Sequence, residues 1–437
     1  MSDGKYLFPA YDGQLAILQA FIKYFSHLPD RFEFRVLMPD KNICSEQALD
    51  EFITIISKTA FKTKNVRISY QIENFIHISP IINRYNFNPR LFEDYFKCNF
   101  DLIINNIPEI SRNIIACYPK DYKAKLISCH WFPDYFFQNE LTGSWDNGIK
   151  FSYSFRQLDG ILSSDLNIFI CESTLKGWQE SIEKTFNFDA VTEIENHSKL
   201  ISLCVTDLDE YENISKTFKQ EKFTEFTAIF PSRITNSMYT NWKVAFDMFM
   251  LDPRGRIIFC NPSGEKGLQC IDKFYPTEKF EEVVIQLNSG SCFRCRSYNC
   301  GKLLIVLSPL DKQMYYELCV MCHSIINFYM AERYGGVAIR EAIALGKLVP
   351  FVPCIYEFEE WFAGRNVFKK LYDYMVFNEV DDLSSIPNLI TKYNNFLLLC
   401  VGKIHIRILE TFKEIEHYTK DIRKFKAEII KLLGENK

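Results

Sequence analysis

The chain has 437 residues, 47% hydrophobic and 24% charged, the make-up of soluble globular material long enough for two domains that each bury a core. A net charge of −4 and a pI near 6.1 exclude a general attraction to nucleic acid or anionic membrane and leave only local basic grooves. Fifteen cysteines, an odd number scattered through apolar runs such as LISCHWF and RIIFCNP, read as reduced buried thiols and not as a disulfide framework.

The opening MSDGKYLFPAYDGQ has no basic stretch followed by an apolar one, and no segment approaches about 18 uninterrupted apolar residues. The expectation is a cytoplasmic protein without membrane insertion. KYLF reads as a strand leading through a turn at Gly13 into a helix. Leu18, Phe21, Ile22 and Phe25 fall at i, i+3, i+4 and i+7 of that helix, on one apolar face. FEFRVLM alternates as a strand, and NVRISYQI, FDLIINNIP, AKLISCHWF and LNIFICES are further apolar runs of strand length. That rhythm predicts a parallel sheet with helices on its faces.

After KLISLCV the stretch TDLDEYENISKTFKQEKFTEF is polar, with few positions that could anchor a core. A first domain over 1–205, a linker over 206–225 and a second domain over 226–398 follow. The strand–helix rhythm restarts at TAIFPSRI and runs through RIIFCNP, EEVVIQLN, KLLIVLSPL, SIINFYMAE and LVPFVP. The expected fold is α/β: two doubly wound, Rossmann-like domains facing a cleft. The tail, 399–437, reads as a packed surface helix.

Within AERYGGVAIREAIALGKLVPFVP, residues 331–353, a strand delivers Glu332 to its carboxyl end, where ligands bind in open parallel sheets. Gly335 and Gly336 let the backbone turn tightly. A helix from about Val337 to Leu345 then carries Glu341 in its first turns, and Gly346 supplies its stop. Carboxylates there would accept hydrogen bonds from sugar or ribose hydroxyls, while amide groups at the helix start would favour a phosphate. The alternative is two solvated glutamates at a strand–helix corner.

The segment E-x-x-G-G-x-x-x-R-E-A-I-A-L-G-K resembles the paired-glutamate motif of retaining glycosyltransferases of the GT-B fold. The resemblance implies that Glu332 contacts the transferred sugar and Glu341 the ribose of a nucleotide-sugar donor, a UDP-sugar first. The family usually has seven residues between the glutamates and this chain has eight, so either the loop carries one extra residue or Arg333 takes the place of Glu332. FPSRITNSMYTNWKVAFDMF, residues 230–249, is similar to the family's next supporting segment, which implies Arg233 and Lys243 as cations for the donor diphosphate. Cations there stabilise the charge that grows on the leaving group. By the same resemblance Gly13, with Asp12, faces the donor phosphate or acceptor, its alternative being a simple strand–helix turn, and His130 contacts the sugar, its alternative being a core histidine. The last helix would cross back to the first domain. The departing phosphate can receive the acceptor proton, and no obligatory metal is implied.

Two further groupings compete for attention. Cys292, Cys295 and Cys300 precede Cys319, Cys322 and His323, a spacing that would suit structural zinc. The apolar KLLIVLSPL between the pairs and the i, i+3 placement of Cys319 and Cys322 favour buried thiols instead, with any zinc held by the 292–300 loop. Lys58, Lys62, Lys64 and Arg67 form a basic cluster that could track nucleic-acid phosphates or lie solvated. FDLIINNIPEIS and TNWKVAF are similar to bacteriophage enzymes that glycosylate hydroxymethylated pyrimidines, and the Ile, Asn, Lys and Phe richness suits an AT-rich genome. That resemblance makes DNA one acceptor and a host cytoplasm one location, beside a saccharide or lipid-linked glycan acceptor. A non-catalytic nucleotide-sugar-binding module is a reading from another class. An NAD-dependent oxidoreductase is disfavoured because no G-x-G-x-x-G follows an early strand.

Overall fold

The computed structural model describes residues 13–39, 46–73, 96–106, 108–130, 156–169, 172–185, 188–201, 213, 214, 216–218, 222–235, 242–251, 255–326, 328, 341, 342, 344–347, 377, 385–401 and 419–434. The chain divides into two compact units, Met1–Val205 with Tyr418–Lys437, and Thr206–His417. The strands expected at KYLF and LVPFVP lie outside the described residues.

In the first unit α1 (Gly13–Ser26) and α2 (Glu46–Phe61) accompany the parallel pair β1 (Phe32–Pro39) and β2 (Val66–Glu73), registered Phe32 to Val66. The apolar face read from α1 is buried at Phe21, Ile22 and Phe25, and the Phe25 ring meets those of Phe32 and Phe34 edge-on at 4.8 and 5.1 Å. Asn65 fixes the turn between α1 and β1 by donating its side-chain amide to the carbonyls of Phe25, Leu28 and Asp30. A second sheet holds β3 (Leu102–Asn105), β4 (Lys125–His130), β5 (Leu166–Phe169) and β6 (Ser198–Leu200) in that order, all parallel. Leu126, Ile127 and Cys129 are fully buried, as expected of a strand covered on both faces. Between β3 and β4 runs the short α3 (Ser111–Ala116), and α4 (Glu172–Thr185) and α5 (Phe188–His197) separate β5 from β6.

The second unit opens with residues expected to be a free polar linker. Instead, Ile214, Phe218 and Phe223 pack on its core, the Phe223 ring lies 4.6 Å beneath the Arg256 guanidinium, and Glu225 pairs with Lys302. The isolated apolar residues of that stretch are spaced widely enough to look unanchored, yet these three find core neighbours.

Among the described residues six strands form the sheet of this unit, in the order β12-β7-β8-β11-β10-β9. β7 (Thr227–Phe230), β8 (Arg256–Phe259), β11 (Leu303–Val306) and β12 (Ser324–Ile325) are parallel, while β9 (Glu281–Gln286) and β10 (Cys292–Tyr298) form an antiparallel edge. Its described helices include α6 (Trp242–Leu251), α7 (Glu265–Phe274), α8 (Lys312–Met321) and α9 (Ile386–Val401). The antiparallel edge departs from the expected all-parallel rhythm, and the segment read as a cysteine loop is strand β10. Chain length explains it: 287–291 and 299–302 are the only residues joining these strands, and a parallel crossover needs a dozen or more. Asn299, Cys300 and Gly301 make the second reversal with φ of 48°, 54° and 85°.

From the tail, α10 (Thr419–Gly434) belongs to the first unit. Its Phe425 is wholly buried against the rings of Phe21, Tyr24 and Phe25, 5.2 to 6.0 Å between centroids. Among the described residues no helix is long and apolar enough to cross a membrane.

Candidate functional site

The parallel strands of the second unit place the turns at 231–235, 260–264 and 307–311 along one carboxyl edge of the sheet. The turn after β8 is held by Asn261, whose side-chain amide donates to Gly264 O at 3.0 Å and to Val306 O at 2.9 Å. This ties it to the end of β11. A Cβ on Gly267 would stand 2.0 Å from Asn261 Oδ1. Gly267→Ala is therefore expected to lower stability by about 1–3 kcal/mol through overpacking, and an unchanged urea midpoint would refute this.

At the turn after β11, Asp311 caps α8 by accepting from Met314 N–H at 2.8 Å, so the first amides of α8 lie at the same edge. One helical turn further, buried Tyr316 donates its hydroxyl to Glu341 Oε1 at 3.2 Å, and the Lys312 ammonium lies 5.3 Å from the Tyr316 ring centroid. Glu341 is half-buried beside the N-terminal half of α8.

The helical turn that carries Glu341 is closed as expected by Gly346, in the left-handed region at φ 81°. Leu345 N–H donates to Glu341 O and Lys347 N–H to Ala342 O, both at 2.9 Å, the latter being the six-to-one bond of a Schellman ending. Lys347 then anchors it. Its buried ammonium donates to Val320 O at 2.7 Å and Cys322 O at 2.6 Å, at the C-terminal end of α8, where the helix dipole favours a cation. Burial, with Lys222 nearby, pulls its pKa down to about 8. No motif or spacing in the sequence marks a role for Tyr316, Lys312 or Lys347. The aspartate cap before K-Q-M-Y-Y was a usable sign of a helix start at the ligand edge.

Arg233 is exposed three residues beyond β7. Its turn is pinned by buried Ile234 and by Trp242 Nε1, which donates to Thr235 O at 2.7 Å. Lys243 is exposed on the first turn of α6, with its ammonium 5.7 and 5.9 Å from the ring centroids of Phe274 and Tyr275 at the end of α7. Arg233 thus stands on the carboxyl-edge turn, whereas Lys243 is engaged by the aromatic end of a helix. Glu332, Gly335, Gly336 and Val337, together with Asp12, lie outside the described residues.

In the first unit Gly13 opens α1. His130 closes β4 and is buried, stacked on the Phe169 ring at 4.5 Å. Its Nε2 lies 2.8 Å from Asn167 Oδ1, and Asn167 donates its own amide to Ile161 O. Asn167 Oδ1 is then an acceptor, so the His130 proton sits on Nε2 and Nδ1 keeps a free lone pair. Burial pushes its pKa down to about 4, against the opposing effect of its hydrogen bond to Asn167. The ring is neutral near pH 7.

Cys292 and Cys295 lie on opposite faces of β10, one exposed and one buried, because residues three apart on a strand point oppositely. Cys300 is exposed beyond the strand's far end, and Cys319 and Cys322 are buried on α8 and at its end. Among the described residues no three His, Cys, Asp or Glu side chains converge as metal ligands. The Lys58, Lys62, Lys64 and Arg67 cluster is exposed at the end of α2 and the amino end of β2, the edge opposite the strand carboxyl ends.

No protein-family model matches the sequence, and no curated protein matches it either. Solved structures do match. Anabaena Alr3699/HepE in complex with UDP aligns over 99% of this chain and 98% of its own at TM-score 0.54 and 12% identity. A glycosyltransferase from Rickettsia africae aligns over 96% and 94% at 0.53 and 13%. An α,α-trehalose-phosphate synthase (UDP-forming) from Burkholderia vietnamiensis aligns over 92% and 99% at 0.55 and 7%. With these likenesses extending over nearly the whole chain, its two α/β units have the GT-B fold.

Proposed function

We propose that this chain is a nucleotide-sugar-dependent glycosyltransferase that moves a sugar from a UDP-sugar to an acceptor hydroxyl with retention of the anomeric configuration. The observation that carries the reading is the Tyr316–Glu341 pair, a carboxylate held by a hydroxyl beside the capped start of α8. Likeness to a protein solved with UDP and with UDP-glucose adds to it. In this reading Glu341 accepts the ribose hydroxyls, and Arg233 draws charge from the departing diphosphate with Lys243 as a second cation. Glu332 and the amides around Gly335, Gly336 and Val337 hold the sugar and phosphate. In the first unit His130 accepts a sugar hydroxyl through Nδ1, and Gly13 allows close approach of the backbone. The diphosphate itself takes up the acceptor proton, so no separate base and no metal is required.

The acceptor is a hydroxylated molecule, either a saccharide or lipid-linked glycan or a hydroxymethylated pyrimidine in DNA. The exposed Lys58, Lys62, Lys64 and Arg67 cluster is the feature that keeps DNA in view. Transfer assays on a methyl glycoside and on hydroxymethylated duplex DNA separate the two.

A thermal-shift panel of UDP, UDP-, GDP- and ADP-sugars tests the donor. At a hundred times Kd the UDP compounds are expected to add about 2.7 kcal/mol of apparent stability, and Glu341→Gln to weaken UDP about 10-fold. No shift with any nucleotide would overturn the reading. Binding without UDP release under any acceptor would leave a non-catalytic module.

A further inference from the structure

Glu109 lies just beyond the carboxyl end of β3, in the 3-10 turn Pro108–Ile110, with only 7% of its surface exposed. Its Oε1 accepts from buried Gln157 Nε2 at 2.9 Å, while Oε2, also buried, has no hydrogen-bond partner among the described residues. The helical residues 156–163 that bring Gln157 there pack hard against the turn: a Cβ on Gly160 would stand 2.0 Å from Pro108 O.

The neighbouring buried serine hydroxyls are committed to one another and to the backbone. Asn105 Nδ2 donates to Ser111 Oγ at 2.9 Å, and Ser164 Oγ donates to Gly160 O at 2.7 Å. Between those ends Ser111 and Ser128, and Ser128 and Ser164, are each 2.7 Å apart. Because Ser164 spends its proton on Gly160, Ser128 donates to Ser164 and Ser111 to Ser128, so each hydroxyl in the chain gives one proton and receives one. A buried acceptor left unmade is costly, and this one sits at the strand edge where parallel sheets take their ligands.

We propose that Glu109 Oε2 is a ligand contact that accepts a hydrogen bond from the attacking hydroxyl of the acceptor, orienting it without removing its proton. This rests on the glycosyltransferase reading above. Glu109→Gln is the discriminating variant: its carbonyl still accepts from Gln157, and an amide donor takes the place of Oε2.

The assay is UDP release from UDP-glucose with water as the accepting hydroxyl, together with UDP thermal shift and melting temperature. The variant is expected to release UDP about 10- to 100-fold more slowly, with unchanged KM for UDP-glucose and a melting temperature no lower than wild type. Glu109→Asp, which keeps the carboxyl group one methylene short, is expected to be intermediate and serves if the glutamine variant fails to fold. Wild-type turnover in either folded variant, or a rise in KM together with a fall in melting temperature, would overturn the assignment. A wild type that neither shifts with UDP nor releases it would overturn the donor reading instead.

Discussion

Arg233→Ala is expected to lower sugar transfer by about 10²–10³-fold, the cost of removing one preorganised charge aimed at a developing anion. That corresponds to about 2.7–4 kcal/mol of transition-state stabilisation. The side chain is exposed on a turn whose flanks are fixed, by Ile234 in the core and by the Trp242 indole on Thr235 O. Its loss should therefore leave the fold intact and fall mainly on kcat. Lys243→Ala is expected to cost less, within about 10-fold, because its ammonium is already engaged with the Phe274 and Tyr275 rings, an interaction of about 0.5–1 kcal/mol at an exposed site. Steady-state kinetics with a UDP-sugar decide the matter. If Arg233→Ala stays within threefold of wild type, Arg233 is not the diphosphate cation; a larger loss in Lys243→Ala would reverse the ranking.

Stability is expected to fall on acidification between pH 6.5 and 4. His130 has a folded pKa of about 4 against its ordinary 6.5, chiefly because it is buried. In that window the unfolded chain binds a proton that the folded chain refuses, so stability is present above pH 6.5 and is lost as pH drops through it. Integrated over the window, one such group accounts for about 3 kcal/mol. His323 shifts in the same direction, also to about 4, through burial and then Lys222 and Lys347, and adds to the slope. His130→Gln keeps an amide donor for Asn167 and removes the titration. Its denaturation midpoint should vary less steeply across the window than that of wild type, and parallel curves would refute the assignment.

Much of the architecture was legible from spacing. The 3.6-residue repeat of Phe21, Ile22 and Phe25 and the short apolar runs at LISC, LNIF, TAIF, RIIF and LLIV mark elements that bury the same residues in the structure. Gly346 was legible as a helix stop because glycine is the usual left-handed residue just past a helix end. The alternation in Cys292–Tyr298, with Phe293, Cys295 and Ser297 buried, is a strand pattern that the cysteine spacing masks. The five- and four-residue connections on either side of it argue for antiparallel pairing.

What the sequence by itself determined is the order of strands and helices and the residues each turns inward, because periodicity and chain reversals are properties of a few consecutive residues. The tertiary structure decided which polar groups meet. Tyr316 and Glu341 stand 25 residues apart, Gln157 and Glu109 stand 48 apart, and Lys347 reaches 27 residues back to Val320. A hydrogen bond has a reach of about 3 Å, so its partners are chosen only when crossovers and packing bring distant segments side by side, and no local pattern records that choice.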